Sequence, residues 1–202
     1  MNYFVTAIGT DSGKTLVSAI LTEMLHADYW KPIQSGEPRD TETVRSLVTN
    51  AQSQFYREAF LLKTPASPHA AARIDGVEIT IDHIIPPVSN RDLIIEGAGG
   101  VMVPLNDQDV ILDLVPHLNA EIVLVSNLYL GSINHTLLTA EVIKSRGYQV
   151  KGIIFNGPGN EESERIILLR TGYRQLLKVE QESEVNKDIV KKYAEKLSTC
   201  WD

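Results

Sequence analysis

Five stretches of this chain carry residue types that could hold phosphates, a metal ion and a small anionic substrate. In Ala7-Ile8-Gly9-Thr10-Asp11-Ser12-Gly13-Lys14-Thr15 an apolar run gives way to a loop and then to a helical pattern. Strand, glycine-bearing loop, Gly-Lys-Thr and helix form a phosphate cradle, because successive backbone N–H groups and the helix N-terminus face the anion. Lys14 would reach the β- and γ-phosphates, and the Thr15 hydroxyl would ligate Mg²⁺. The spacing is irregular: the pattern G-x-x-x-x-G-K-[ST] wants its first glycine where Ile8 stands, and the glycine falls one later, at Gly9. The plain alternative is an ordinary strand-to-helix turn with an exposed lysine.

Lys31-Pro32-Ile33-Gln34-Ser35-Gly36 closes a second apolar strand. A lysine inside a buried strand is costly unless it meets an anion, so Lys31 is expected to point into a site. Asp40, in Arg39-Asp40-Thr41-Glu42, reads from its residues first as a helix N-cap, which alone would explain it. Leu93-Ile94-Ile95-Glu96-Gly97-Ala98-Gly99-Gly100 ends an apolar strand in an acid, the second metal-holding element of phosphate-loop folds, and its glycines let backbone approach a ligand. Leu130-Gly131-Ser132-Ile133-Asn134-His135 opens a strong helix, so free N–H groups there make a second anion site, or a plain helix start capped by Ser132. Asn156 offers an amide that both donates and accepts, as adenine recognition demands.

The elements that must position these residues alternate between short β-branched runs and longer helical patterns, the mark of parallel strands joined by helical crossovers. Strands are expected at 3–8, 29–33, 92–95, 121–126 and 151–155. Helices are expected at 14–26, 41–49, 111–118, 133–146, 161–169 and 186–197. The stretch 65–90, with Pro65, Pro68, Pro86 and Pro87, reads as loops and short elements. The fold class is therefore α/β: one doubly wound, mostly parallel sheet with helices on both faces, spanning 1–202. Its ligands would gather at the carboxyl ends of the strands.

Taken together these stretches, with Ser67-Pro68-His69-Ala70-Ala71, Val103-Pro104-Leu105 and Leu138-Thr139, resemble dethiobiotin synthetases. The motifs follow that family's order over residues 3–157. The resemblance implies an ATP-dependent ligase with a phosphate-loop NTPase-like fold, which closes the ureido ring of dethiobiotin from 7,8-diaminononanoate and CO₂ through a carbamate and a carbamic-phosphoric anhydride. By the same resemblance Lys31, Thr10 and Lys14 are catalytic, and Thr15, Asp40 and Glu96 hold Mg²⁺. Asp11, Ser12, Gly13, Lys14, Thr15, Leu16, Asp40, Glu96, Gly97, Ala98, Gly99, Asn156 and Gly157 would bind ATP. Ser35 would touch the diamine, and Gly131, Ser132, Ile133 and Asn134 of a second subunit would take its far carboxylate, which makes a homodimer functional. The family's phosphate loop carries one extra residue, so Ala7 stands at its first glycine. Leu177-Lys178-Val179-Glu180, without proline, takes the place of its base-side loop.

Composition narrows the partners. The 202 residues carry 19 Lys+Arg against 26 Asp+Glu, a net charge of −7. That balance argues against nucleic acid or an anionic membrane, which reward a basic face. The acidic residues from Glu161 to Glu184 read as a solvated face. A single cysteine, Cys200, excludes an internal disulfide and suits a reducing compartment; with no leader pattern at the N-terminus, a cytoplasmic protein is expected. The rival reading is a nucleotide-switch ATPase of the partitioning or cell-division type. Those proteins usually place a lysine early in the phosphate loop, and Ala7 to Ser12 contains none.

Overall fold

The structure, a computed structural model, describes residues 1–201. Its centre is a six-stranded parallel sheet in the order β2-β5-β1-β6-β7-β8, formed by β1 (Asn2–Ala7), β2 (Asp28–Trp30), β5 (Leu93–Gly100), β6 (Ala120–Asn127), β7 (Val150–Asn156) and β8 (Gln175–Val179). The short strands β3 (Ile33–Ser35) and β4 (Phe60–Leu62) pair separately. The helices are α1 (Lys14–Leu25), α2 (Asp40–Leu47), α3 (Pro68–Asp75), α4 (Leu114–His117), α5 (Ser132–Ser145), α6 (Glu161–Thr171) and α7 (Lys187–Ser198).

Side-chain alternation on β1 explains why the sheet is covered on both sides. Tyr3, Val5 and Ala7 enter one apolar cluster with α1, α2 and α7; Phe4 enters another with α3, α4, α5 and α6. Val123 and Val125 of β6 follow the first, Ile122 and Leu124 the second. A strand buried on both faces reads as a continuous apolar run, which is what the sequence displays. Because β1 lies between β5 and β6, the loop after it opens at the point where the strand order diverges, the place where doubly wound sheets bind ligands.

Five expectations are corrected. The strand expected at 29–33 is two: β2 ends at Trp30, Lys31-Pro32 breaks it, and β3 pairs with β4 instead of the main sheet. Proline has no N–H for the ladder, so the break falls there. The strand expected to end at Ile95 continues to Gly100, with an irregularity in its pairing to β1 between Val5 and Ala7. Residues 111–118 form a turn of 3₁₀ helix followed by the short α4, which contains Pro116. Leu177, Lys178 and Val179 lie in the edge strand β8 rather than in a loop. Among the acidic residues, Glu164 is buried and paired with Lys178 at 2.9 Å, so that face is not wholly solvated.

Candidate active site

A cleft of about 820 Å³ opens over the carboxyl ends of β1, β3 and β5. It is bounded by the loop and first turn at 10–16, by Lys31 with Gln34 and Ser35, by Asp40 with Thr43, by Pro65 to Pro68, by Glu96 with Ala98 and Gly99, and by Val185. Most of the residues expected to act together are therefore brought together.

The phosphate loop owes its shape to two residues with positive φ. Asp11 sits at φ 55° and Gly13 at 95°. A side chain on Gly13 would place its Cβ 2.2 Å from Nδ2 of Asn156, so only glycine fits. Asn156 donates from that Nδ2 to the Ser12 carbonyl at 3.1 Å, which ties the end of β7 to the loop. Ser12 Oγ donates to the Gly9 carbonyl at 3.2 Å, and Lys14 Nζ donates to the same oxygen at 3.0 Å. Burial first, and the charge of Lys31 second, pull the Lys14 ammonium down to a pKa of about 8. Ala7 remains in β1, with its side chain in the core, and the loop leaves the strand after it.

Below the loop lies a charged floor. Lys31 Nζ stands 2.6 Å from Asp40 Oδ2 and 3.1 Å from Glu96 Oε1, and it donates to the Gly97 carbonyl at 3.3 Å. Burial works against its charge, but Glu96 and Asp40 outweigh burial and hold the Lys31 pKa above the ordinary lysine value. Thr15 Oγ1 lies 3.1 Å from Asp40 Oδ1 and 3.0 Å from Glu96 Oε1. The remaining Glu96 oxygen, Oε2, accepts from the Tyr29 hydroxyl at 2.9 Å; burial, then Glu96, keep that phenol well above its usual pKa. Glu96 sits inside β5, not at its end, because the glycines after it continue the strand. A Cβ on Gly97 would come within 3.1 Å of the Phe4 ring.

Three hard oxygen donors, on Thr15, Asp40 and Glu96, converge beside the loop. This fits Mg²⁺, which takes one or two carboxylates and draws further ligands from phosphate oxygens and water. Among the described residues no group of three or more His, Cys, Asp or Glu gathers as a metal site. Ser35 Oγ is buried at the cleft without a hydrogen-bond partner among the described residues, a polar atom that calls for a partner from outside the chain.

The other expected residues lie elsewhere. Gly131 to Asn134 start α5 outside the cleft lining. Gly131 is at φ 105° with open space where a Cβ would stand, Ser132 is buried and Asn134 is exposed. Asn156 and Gly157 adjoin the phosphate loop without lining the cleft. Tyr29 escaped the sequence reading, because a tyrosine in an apolar strand is indistinguishable there from core. Gln34 stood within a recognised stretch without a role, although a polar residue at the end of an apolar strand was the available signal. Val185 left no signal at all, since it reaches the cleft only through the path of the chain after β8.

Comparison with known proteins agrees with this geometry. Residues 1–188 match the family model described as AAA domain. The chain is 60% identical over 201 residues to an ATP-dependent dethiobiotin synthetase of Cytophaga hutchinsonii, covering 98% of each. It is 50% identical over 197 residues to that of Christiangramia forsetii, covering 96% of this chain and 95% of the relative. In structure it is similar to a ParA family ATPase from Chlorobium tepidum, with a TM-score of 0.58 and 13% identity over 98% of this chain and 92% of that one. It is equally similar to the septum site-determining protein MinD of Pyrococcus horikoshii, with a TM-score of 0.58 and 14% identity over 98% and 96%. Those two share the fold alone, and with it the partitioning-type reading loses its support. Identity sustained from end to end with enzymes of one name places this chain in the ATP-dependent dethiobiotin synthetase family.

Proposed function

We propose that the cleft closes the ureido ring of dethiobiotin from 7,8-diaminononanoate, CO₂ and ATP, with Lys31 at the centre of the charge it must gather. One substrate amine adds to CO₂ and loses a proton, giving a carbamate. A carbamate oxygen attacks the γ-phosphorus and ADP leaves. The second amine then attacks the carbamoyl carbon and expels phosphate, closing the ring. The difficulty is electrostatic, since a carbamate must approach a triphosphate.

The observation that carries this reading is the buried Lys31 ammonium, held charged between Asp40 and Glu96 at 2.6 and 3.1 Å on the cleft floor. A preorganised charge in a water-poor site stabilises developing negative charge without reorganising. Thr10, at the cleft rim, supplies a hydroxyl to the same region. The backbone from Asp11 to Leu16 faces the phosphates, and Lys14 reaches between them. Mg²⁺ held by Thr15, Asp40 and Glu96 would neutralise phosphate charge. Gly97 to Gly99 present backbone beside nucleotide and substrate, Ser35 meets an amine, and Asn156 with Gly157 stands at the base side.

Among the described residues the cationic side chains lining the cleft are Lys14 and Lys31, and both are taken up by the phosphates and the carbamate, which leaves the far carboxylate of the diamine to another partner. We assign it to the N–H groups of Gly131 to Asn134 on a second copy, in a homodimer. The exposed Tyr129 and fully exposed Leu130 beside that helix start support this, since large apolar side chains on a surface mark contacts. No helix among the described residues is long and apolar enough to cross a membrane.

The test is product formation by the purified protein. Dethiobiotin should accumulate only when diamine, bicarbonate, ATP and Mg²⁺ are all present, with one ADP per ring closed. Phosphate release that ignores the diamine would refute the assignment.

A further inference from the structure

The N-terminus of α2 is gripped by side chains that no step above uses. Asp40 is the first residue of this helix, and Arg39, at the cap position, has a side chain that cannot accept from the helix N–H groups and makes no cap. The Asp40 Oδ1 accepts from Thr15 and its Oδ2 faces Lys31. The Asp40 N–H donates to Gln34 Oε1 at 3.1 Å, and the Gln34 amide nitrogen donates to the Gly36 carbonyl at 3.2 Å. Gln34 is 5% exposed. One glutamine thus caps the helix from outside, while the Asp40 carboxylate faces the site.

The residues on either side of Asp40 are held by one more buried group. Thr41 Oγ1 donates to Glu58 Oε1 at 2.8 Å, and the Arg39 guanidinium lies 3.7 Å from Glu58 Oε2. The Glu58 side chain is only 4% exposed and does not line the cleft. A buried carboxylate is expensive unless its partners justify it, and here its partners are the two neighbours of Asp40. Backbone N–H, preceding residue and following residue are therefore all fixed from outside the helix.

We propose that Gln34 and Glu58 are positioning residues that aim the Asp40 carboxylate at the metal. The proposal rests on the reading of Asp40 as a Mg²⁺ ligand. Outer-shell partners of this kind cost roughly 10–100-fold in metal affinity when removed.

The experiment reads binding, not turnover. A fluorescent ATP analogue is titrated into the full-length protein at increasing Mg²⁺ and again in EDTA, for Glu58→Ala, Glu58→Gln, Gln34→Leu and Asp40→Asn. Glu58→Ala and Gln34→Leu should raise the Mg²⁺ needed for half-maximal tightening roughly tenfold while binding in EDTA stays within about twofold. Glu58→Gln keeps an acceptor for Thr41 and should recover most of the loss. If Glu58→Ala does not fold, Gln34→Leu and Glu58→Gln carry the test. Equal weakening with and without Mg²⁺, or no change in either, overturns the proposal. An unchanged Mg²⁺ dependence in Asp40→Asn marks instead the failure of the ligand reading beneath it.

Discussion

Two strand-loop-helix units stand side by side in this protein and begin their helices alike. β1 leads to α1 through Gly13 at φ 95°, and the neighbouring β6 leads to α5 through Gly131 at φ 105°. Neither helix has a side-chain cap at its first turn, so both offer unpaired N–H groups to an anion. Their surroundings differ. At Gly13 there is no room for a Cβ beside Asn156, and Lys14 is buried over a floor of Lys31, Asp40 and Glu96. At Gly131 there is open space, and Leu130 is fully exposed. The same local geometry becomes an enclosed, charged cradle where tertiary neighbours supply charge and enclosure, and stays an open helix start where they do not.

The comparison can be broken at its strongest point first. Lys31→Ala should preserve the fold and lower turnover by roughly 10²–10³-fold, because its charge is used mainly as negative charge gathers. Single-turnover phosphate release checks this, and near-normal rates would sink it. Gly13→Ala forces the phosphate loop away from Asn156 and should weaken nucleotide binding by about a hundredfold, as calorimetry would show. On the other unit, Asn134→Ala should raise KM for the diamine about tenfold, as expected for one lost bond to a carboxylate, while KM for ATP stays put. An equal rise in both would move the carboxylate site elsewhere.

A pH series sharpens the difference further. The Lys14 pKa in the folded chain is lowered to about 8, whereas phosphate binds the protonated amine. Below about pH 8 the amine already carries its charge. Above that value, nucleotide binding must take up a proton, and affinity should fall by up to about tenfold per pH unit. Proton uptake measured calorimetrically in buffers of different ionisation enthalpy reports it directly. The smallest effect belongs to Gly131→Ala, where nothing is met within 4 Å. Only the left-handed backbone resists the change, at about 1–2 kcal/mol, seen as a shift of a few degrees in Tm.

Much of this was written in the order of residues. Long apolar runs with flanking glycines disclosed five strands of the main sheet, because strands covered by helices on both faces have no polar period to obscure them. The edge strand β8 was hidden: Gln175 is exposed and Lys178 is half-buried, so its pattern resembles a loop. β5 continued through a glycine run that looked like a turn, because the space beside Phe4 accepts backbone and little else. The phosphate loop, Lys31 and Glu96 were legible because their chemistry conflicts with their position. Charge at the end of an apolar strand needs a reason.

What the sequence determined by itself was the parallel α/β architecture and the set of groups able to meet a triphosphate, since strand burial, loop glycines and residue chemistry are local properties. Which role each group plays was decided in three dimensions. Asp40 could have served as a cap; in the fold it is the first helical residue, its N–H donates to Gln34, six residues earlier, and its carboxylate meets Lys31 and Thr15. Tyr29 and Glu58 acquire a purpose only from partners 67 and 17 residues away in the chain. Such choices depend on which donors and acceptors remain unsatisfied after the chain has packed, and no local pattern records that.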